Sequence, residues 1–353
     1  MCLLGKIYDN TMGTQERKDE HLALFKQFDL SVPESTNGFE KWEWIPAETA
    51  ELHFDAINPS LSFLGYSISF PLMIAALSGG SDEGNTLNKA LAECAEMERI
   101  PLGIGSVRSF LENHTGLSVL QSLRKIAPNI PLITNIGIAQ LKDPHIRKKI
   151  VTLTHDGQFD AIAIHFNKIQ ELIQPEGDTD FTGMMDALSM LVEESDIPII
   201  AKQVGHGFSG NDIRKLWQVG IRYVDLGGRG GTSWARAERF RKGDLTEKDP
   251  FDAWGPTTAY CLKTALEQCP GMLCIAGGGI HTGHDVAKGI ALGARLCSTA
   301  NSIYQAYLKN GREGILNTLR DMRIVLKQIM FLTGCSTYTT FHNNPTILRQ
   351  SRD

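Results

Sequence analysis

The chain has 353 residues, 42% apolar and 21% charged, which is ordinary for a soluble globular enzyme. A net charge of −5 gives no general electrostatic case for nucleic-acid binding, and no apolar run approaches the roughly 18 residues of a membrane helix. Seven cysteines (2, 94, 261, 269, 274, 297 and 335) without CxxC spacing predict free thiols rather than disulfides or zinc, and residues 1–4 are too short for a signal core; a cytoplasmic protein is expected.

Residues 1–70 precede the first strand-like run as an N-terminal extension. Thr11 or Thr14 is placed to cap a helix beginning near Gln15 and carrying Arg17, Lys18, Glu20, His21 and Leu22. Arg17 and His21 share a face at i, i+4, with Lys18 adjacent; composition alone reads this as a solvated charged face. Residues 32–38 read as a loop, and 39–45, with Trp42 and Trp44, as a strand or hairpin that floors or lids the domain beyond residue 70.

Eight short apolar runs come next, at 71–77, 101–105, 131–136, 160–166, 197–203, 221–226, 272–276 and 295–299. Their hydrophobicity is continuous, as in strands covered on both faces, and most are followed by a stretch long enough for a helix. The fold class is therefore α/β: one (β/α)₈ TIM barrel over 71–335. The longest interruption, 227–270, is densely charged over 236–248 and reads as a substrate-covering loop. Helical patterns cover 303–309 and 313–332, and residues 336–353 form a polar tail.

In such a barrel the active site lies at the C-terminal ends of the strands. Gly277-Gly278-Gly279 follows the seventh run and Thr299-Ala300 ends the eighth, where barrels commonly hold a phosphate on backbone N–H groups. Gly227 to Thr232 adds a third glycine-rich turn with a hydroxyl; tight strand-to-helix turns would ask for the same glycines. Lys202 ends the fifth run, where a buried charge needs a partner. An anion in a site, Schiff-base chemistry and snorkelling to solvent all answer that need. The fourth run ends in His165-Phe166-Asn167, whose His165 and Asn167 share a strand face, with Gln170 and Glu171 close behind. A carboxylate among amides, without a second histidine, suits a hard ion such as Mg²⁺ completed by substrate phosphates; a solvated loop glutamate is the plainer alternative.

These residues sit in motifs that resemble type II isopentenyl diphosphate isomerase, the flavin-dependent family. The motifs are Arg17-Lys18-Asp19-Glu20-His21-Leu22, Ala76-Leu77-Ser78-Gly79-Gly80, Gly105-Ser106-Val107-Arg108 and Asn135-Ile136-Gly137. They continue with His165 to Glu171 and its Gln174 to Asp178 extension, Lys202-Gln203-Val204-Gly205, Asp225 to Trp234, and Gly277 to Gly283 with Asp285-Val286-Ala287-Lys288. Nine motifs in order, from about residue 15 to 300, make the resemblance specific. It implies a cytoplasmic homotetramer or homo-octamer that binds FMN and Mg²⁺ and interconverts isopentenyl and dimethylallyl diphosphate.

By motif, Arg17, Lys18, Ser106, Arg108, His165, Asn167 and Gln170 would hold the prenyl diphosphate, and Glu171 would ligate Mg²⁺. FMN would lie against Ala76, Leu77, Ser78, Ser106, Asn135, Lys202, Gly227, Thr232, Gly278, Gly279, Thr299 and Ala300. Gln170, Lys202 and His165 form the implied catalytic set, and Glu238 matches a further acidic position. A glutamine amide is not appreciably acidic, so the acid–base group implied is reduced FMN, with NADPH as reductant and Lys202 near flavin N1. Five positions depart from the family pattern. Leu77 and Ser78 stand for Met-Thr, Val107 for Gln, Gln203 for Glu and His281 for Arg; Val107 and Gln203 predict a local loss of polar function. The alternative is another FMN barrel, of the 2-hydroxy-acid oxidase or dehydrogenase type. It would want a His-Gly-Gly-Arg pattern, and Gly227-Gly228-Arg229 lacks the histidine. A non-catalytic flavin-binding module would have no need to keep Gln170, Glu171 and Lys202.

Overall fold

The eight apolar runs become the eight strands of a closed parallel barrel, in a computed structural model that describes residues 14–113 and 116–351. Cys2, Thr11 and residues 1–4 lie outside the described residues. A three-residue strand β1 (Trp42–Trp44) and a hairpin of β2 (Leu61–Phe63) and β3 (Tyr66–Ile68) precede the barrel. The barrel strands are β4 (Leu72–Ile74), β5 (Leu102–Gly103), β6 (Leu132–Gly137), β7 (Ala161–Phe166), β8 (Ile199–Gln203), β9 (Tyr223–Asp225), β10 (Leu273–Gly277) and β11 (Leu296–Thr299). Helices on the outside and side chains on the inside bury both faces of the sheet, which is why the runs are continuous rather than alternating.

The helices are α1 (Thr14–Gln27), α2 (Asp82–Glu98), α3 (Arg108–Asn113), α4 (Gly116–Ile126), α5 (Pro144–Asp156), α6 (Lys168–Ile173), α7 (Met184–Glu194), α8 (Gly210–Gln218), α9 (Trp234–Arg241), α10 (Thr258–Gln268), α11 (Gly283–Ala291), α12 (Asn301–Leu332) and α13 (Tyr338–Phe341). A last strand, β12 (Leu348–Gln350), closes the described chain. The two expected C-terminal helical patterns meet within α12, broken at Asn310 and at Gly311, whose φ of 57° suits glycine.

The strand register sets up the site. Gly137 on β6 is level with His165 on β7, His165 with Lys202 on β8, and Lys202 with Asp225 on β9. One row at the C-terminal rim thus carries an imidazole, an ammonium and a carboxylate on three adjacent strands.

Three expectations are corrected. Its floor is the β2–β3 hairpin rather than residues 39–45: Leu61, Phe63 and Ile68 are buried, Tyr66 Oη donates to Asp160 Oδ1 just before β7 at 3.0 Å, and Phe63 packs edge-on against Tyr223 at the start of β9. β1 instead pairs antiparallel with β12, and Trp44 stacks on Phe341. Residues 336–353 are therefore not simply a polar tail, since Tyr338, Phe341, Ile347 and Leu348 are buried. The charged stretch 236–248, expected within a substrate-covering loop, instead begins as α9, where Glu238, Arg239 and Arg241 are buried.

Candidate active site

Every residue that the resemblance assigns to substrate, cofactor or metal lines a single cavity at the C-terminal end of the barrel. Strand ends form its base, and α1 brings Arg17, Lys18 and His21 across its mouth. The solvated-face reading of α1 is overturned: Lys18 is 8% exposed, donates to the Ser106 carbonyl at 2.7 Å and reaches Ser109 Oγ at 3.3 Å.

The glycine-rich ends of β9 and β10 interlock backbone to backbone. A Cβ on Gly278 (φ 102°) would run into the carbonyl oxygen of Gly228, and one on Gly279 (φ 70°) would meet the Gly230 carbonyl. Asn37 ties the pair down by donating from Nδ2 to the Gly279 carbonyl at 2.6 Å and to Asp285 Oδ1 at 2.7 Å. Tight turns and close backbone approach are thus both real needs of these glycines. Beside them, α12 starts at Ala300 without a side-chain cap, and Ala300, Asn301 and Ser302 line the cavity. Open N–H groups at a helix start favour an anion such as a phosphate. Ser78 Oγ is buried without a hydrogen-bond partner and also lines the cavity, so a polar group of a bound cofactor would satisfy it. This donor set fits FMN.

Lys202 is answered within the protein. Its Nζ lies 2.8 Å from Asp225 Oδ2 on the neighbouring strand, so it neither snorkels away nor relies on a ligand for its pairing. Next to it, His165 shares a 2.9 Å hydrogen bond between Nδ1 and Asn135 Oδ1, which fixes the ring. Burial, with Lys202, Arg17 and Lys18 nearby, pushes the His165 pKa down to about 3, so its imidazole is neutral. Gln203 keeps an acceptor despite the loss of charge: its Oε1 takes the N–H groups of Val204, of Gly205 at 3.1 Å and of His206 at 3.1 Å. Val107 is fully buried in the core, and His281 Nδ1 bonds Ser302 Oγ at 2.9 Å.

A buried polar network joins α1, α6 and α9. Glu238, with no exposed side-chain surface, accepts from Gln170 Nε2 at 2.8 Å and Arg241 Nε at 2.7 Å, and His21 Nε2 lies 2.9 Å away. Burial alone would raise its pKa, but His21, Arg241 and Gln170 outweigh burial and hold it down at about 2. Arg241 also grips both oxygens of Glu176 at 2.7 and 2.8 Å, and Arg17 lies 4.0 Å from Glu176. Glu171 is wrapped rather than solvated. Its oxygens accept from Asn167 Nδ2 at 2.7 Å, from the Asp178 N–H at 2.9 Å and from Gln174 Nε2. Among the described residues no group of three or more His, Cys, Asp or Glu is arranged to hold a metal ion. A cation at Glu171 would therefore depend on substrate oxygens, which is how Mg²⁺ is usually held.

Sequence reasoning did not assign Asp225, His21, Trp234 or Arg241 to the site. Asp225 stands next to the end of the apolar run 221–226, as Lys202 does in 197–203, a signal open to reading once the strands are aligned. His21 stands four residues after Arg17 on the same helical face and packs edge-on against Trp234 at 5.1 Å.

Comparison with known proteins agrees with this geometry. Residues 124–349 match the FMN-dependent dehydrogenase family. The chain is 36% identical to the isopentenyl-diphosphate delta-isomerase of Pelodictyon phaeoclathratiforme, over 95% of this chain and 98% of that protein. It is 34% identical to that of Paracoccus zeaxanthinifaciens, over 95% and 97%. Among solved structures, flavocytochrome b2 with sulfite bound superposes with a TM-score of 0.71 at 17% identity, over 94% of this chain and 83% of that one. An active chimera of (S)-mandelate dehydrogenase gives 0.65 at 16%, over 95% and 99%. At such identities these two establish the fold alone. The sequence relatives and the FMN domain go further: this chain belongs to the flavin-dependent family of isopentenyl-diphosphate delta-isomerases.

Proposed function

We propose that the protein interconverts isopentenyl and dimethylallyl diphosphate using FMN reduced by NADPH, with Mg²⁺ on the substrate diphosphate. The observation that carries this reading is the convergence of Arg17, Lys18 and Arg108, from α1 and α3, on the cavity formed by the glycine-rich strand ends. Cations from the helices suit a substrate diphosphate, and the strand-end backbone suits a cofactor phosphate. Bound reduced FMN would supply the acid–base group that a shift of a double bond requires.

The chain's own residues bind and orient. Arg17 and Arg108 offer forked donors to phosphate oxygens, and Lys18 a point charge. Neutral His165 and Asn167 would hold the substrate without adding charge beside the alkene. Gln170 has Nε2 committed to Glu238 and Oε1 accepting from Asn167 at 3.2 Å, so its part is orientation rather than proton donation. Ionised Glu238 fixes that amide. Lys202, held by Asp225, presents positive charge where an anionic cofactor ring would be stabilised. Glu171 would share Mg²⁺ with the diphosphate.

The test is to supply purified protein with FMN, NADPH, Mg²⁺ and isopentenyl diphosphate under low oxygen and to follow dimethylallyl diphosphate by NMR. No product, or product equally with oxidised flavin, refutes the reading. Consumption of a 2-hydroxy acid with an electron acceptor would favour the oxidoreductase alternative. We place the protein in the cytoplasm as a homotetramer or homo-octamer, the assembly being measurable by light scattering.

A further inference from the structure

We propose that Asp225, braced by Ser298, is a positioning residue that sets how much of the Lys202 charge the cofactor feels. The inference rests on the proposed function, in which FMN lies against Lys202. It arises from Asp225, Gly277 and Ser298 around Lys202, three positions to which the resemblance assigns no role.

Lys202 and Asp225 are register partners on β8 and β9, and their charged groups are 2.8 Å apart. Asp225 is 1% exposed. Ser298 on β11, also buried, donates to the same carboxylate from Oγ, 3.2 Å from Oδ1 and 3.3 Å from Oδ2. Between them, Gly277 on β10 leaves the room: a Cβ there would run into Asp225 Oδ1 and crowd Ser298 Oγ. Four consecutive strands, β8 to β11, thus each give one residue to this cluster.

Such an arrangement is a weak source of stability. A buried ion pair gains little over well-packed apolar side chains, because both charges lose their hydration. Its effect is electrical. With a carboxylate on its far side, the lysine presents the positive end of a dipole to the cavity rather than an isolated charge. The serine hydroxyl draws on the carboxylate and so weakens the compensation by a step.

The lysine's partner and the serine that braces that partner act with opposite sign. Asp225→Asn keeps the size and removes the negative charge, so the cavity becomes more positive. Reduced, anionic FMN then gains on oxidised FMN by roughly tenfold in relative affinity, or about +30 mV for a two-electron couple. Ser298→Ala removes a donor from the carboxylate, strengthens the compensation and shifts the potential by less, in the negative direction. A carboxylate that served only to support the fold would not produce opposite shifts.

The experiment is reductive titration of FMN-loaded wild type, Asp225→Asn and Ser298→Ala against reference dyes, with flavin content read from absorbance. Opposite shifts as given support the proposal. A wild-type potential in Asp225→Asn, or shifts of one sign in both variants, overturns it. Should Asp225→Asn not fold, Ser298→Ala retains the ion pair and decides alone: a negative shift supports, and a zero or positive shift overturns. Wild type that takes up no FMN overturns the cofactor reading and this one together, which distinguishes the two failures.

Discussion

Gln170 Nε2 donates to Glu238 Oε1 at 2.8 Å, so an amide following the fourth barrel strand is oriented by a carboxylate from a helix 68 residues further along. The same carboxylate lies against His21 of α1 and accepts from Arg241 of its own helix. Three chain segments are therefore held in one geometry by a single buried anion. Replacing it removes the common point of attachment.

Glu238→Gln removes one of the carboxylates around buried Arg241, which keeps Glu176 and Glu20, and alters the group that faces His21 and orients Gln170. Loss of one partner of a buried pair costs about 3 kcal/mol or more, and misplacing Gln170 lowers kcat by roughly a hundredfold. Denaturant unfolding and steady-state kinetics on the same preparation measure both. A variant with wild-type kcat refutes the orienting role.

Arg108→Ala should raise KM for the diphosphate about ten- to a hundredfold, the loss of one charge-assisted contact, while flavin content stays at the wild-type level. Flavin loss with unchanged KM would move Arg108 to the cofactor side of the cavity.

Glu171→Gln should remain folded and yellow, yet require about ten- to a hundredfold more Mg²⁺ or substrate for the same rate. Initial rates against Mg²⁺ concentration decide it. An unchanged Mg²⁺ dependence shows that Glu171 is only the anchor of the 174–178 loop.

Gly278→Ala places a methyl group against the Gly228 carbonyl at a backbone φ of 102°, which an L side chain rarely adopts. The two loops must separate, and FMN content of the purified protein should drop by about tenfold or more. Full flavin content would mean that the loop contact is dispensable for the cofactor.

Acid should destabilise the fold in two steps. His165 has its pKa depressed from 6.5 to about 3, so the unfolded chain binds its proton first. Stability from this group is complete above about 6.5 and lost as pH falls towards 3. Glu238, depressed from 4.5 to about 2, adds a second loss as pH falls through that lower range. Burial shifts His206 and His342 downward too, so His165→Gln removes only part of the upper step, about 1–2 kcal/mol between neutral pH and about pH 5. Urea unfolding at a series of pH values checks this, and equal slopes for both proteins refute it.

The barrel was legible because its signal is repetitive and local: eight buried strands each write a continuous apolar run. The strand-end residues were legible for a related reason, since polar groups closing apolar runs stand out. What sequence order hides is pairing across space. Lys202 looked in need of an external anion because its partner lies 23 positions away, and only the parallel register aligns them. The charged stretch of α9 reads as a loop in the sequence because composition cannot tell a loop from a buried helix whose charges find partners. Likewise, no local pattern marks residues 61–68 rather than 39–45 as the floor. That choice depends on which apolar segment reaches the N-terminal strand ends, through contacts such as Tyr66 with Asp160.

Leu61, Phe63 and Ile68 are buried in the hairpin that floors the barrel, and the cavity lies at the opposite end, beneath α1. Occupants must then stack in order of depth. Whatever rests on the strand ends arrives before the molecule lying beneath α1 and departs after it, so excess prenyl diphosphate, lying over the flavin, should slow its escape.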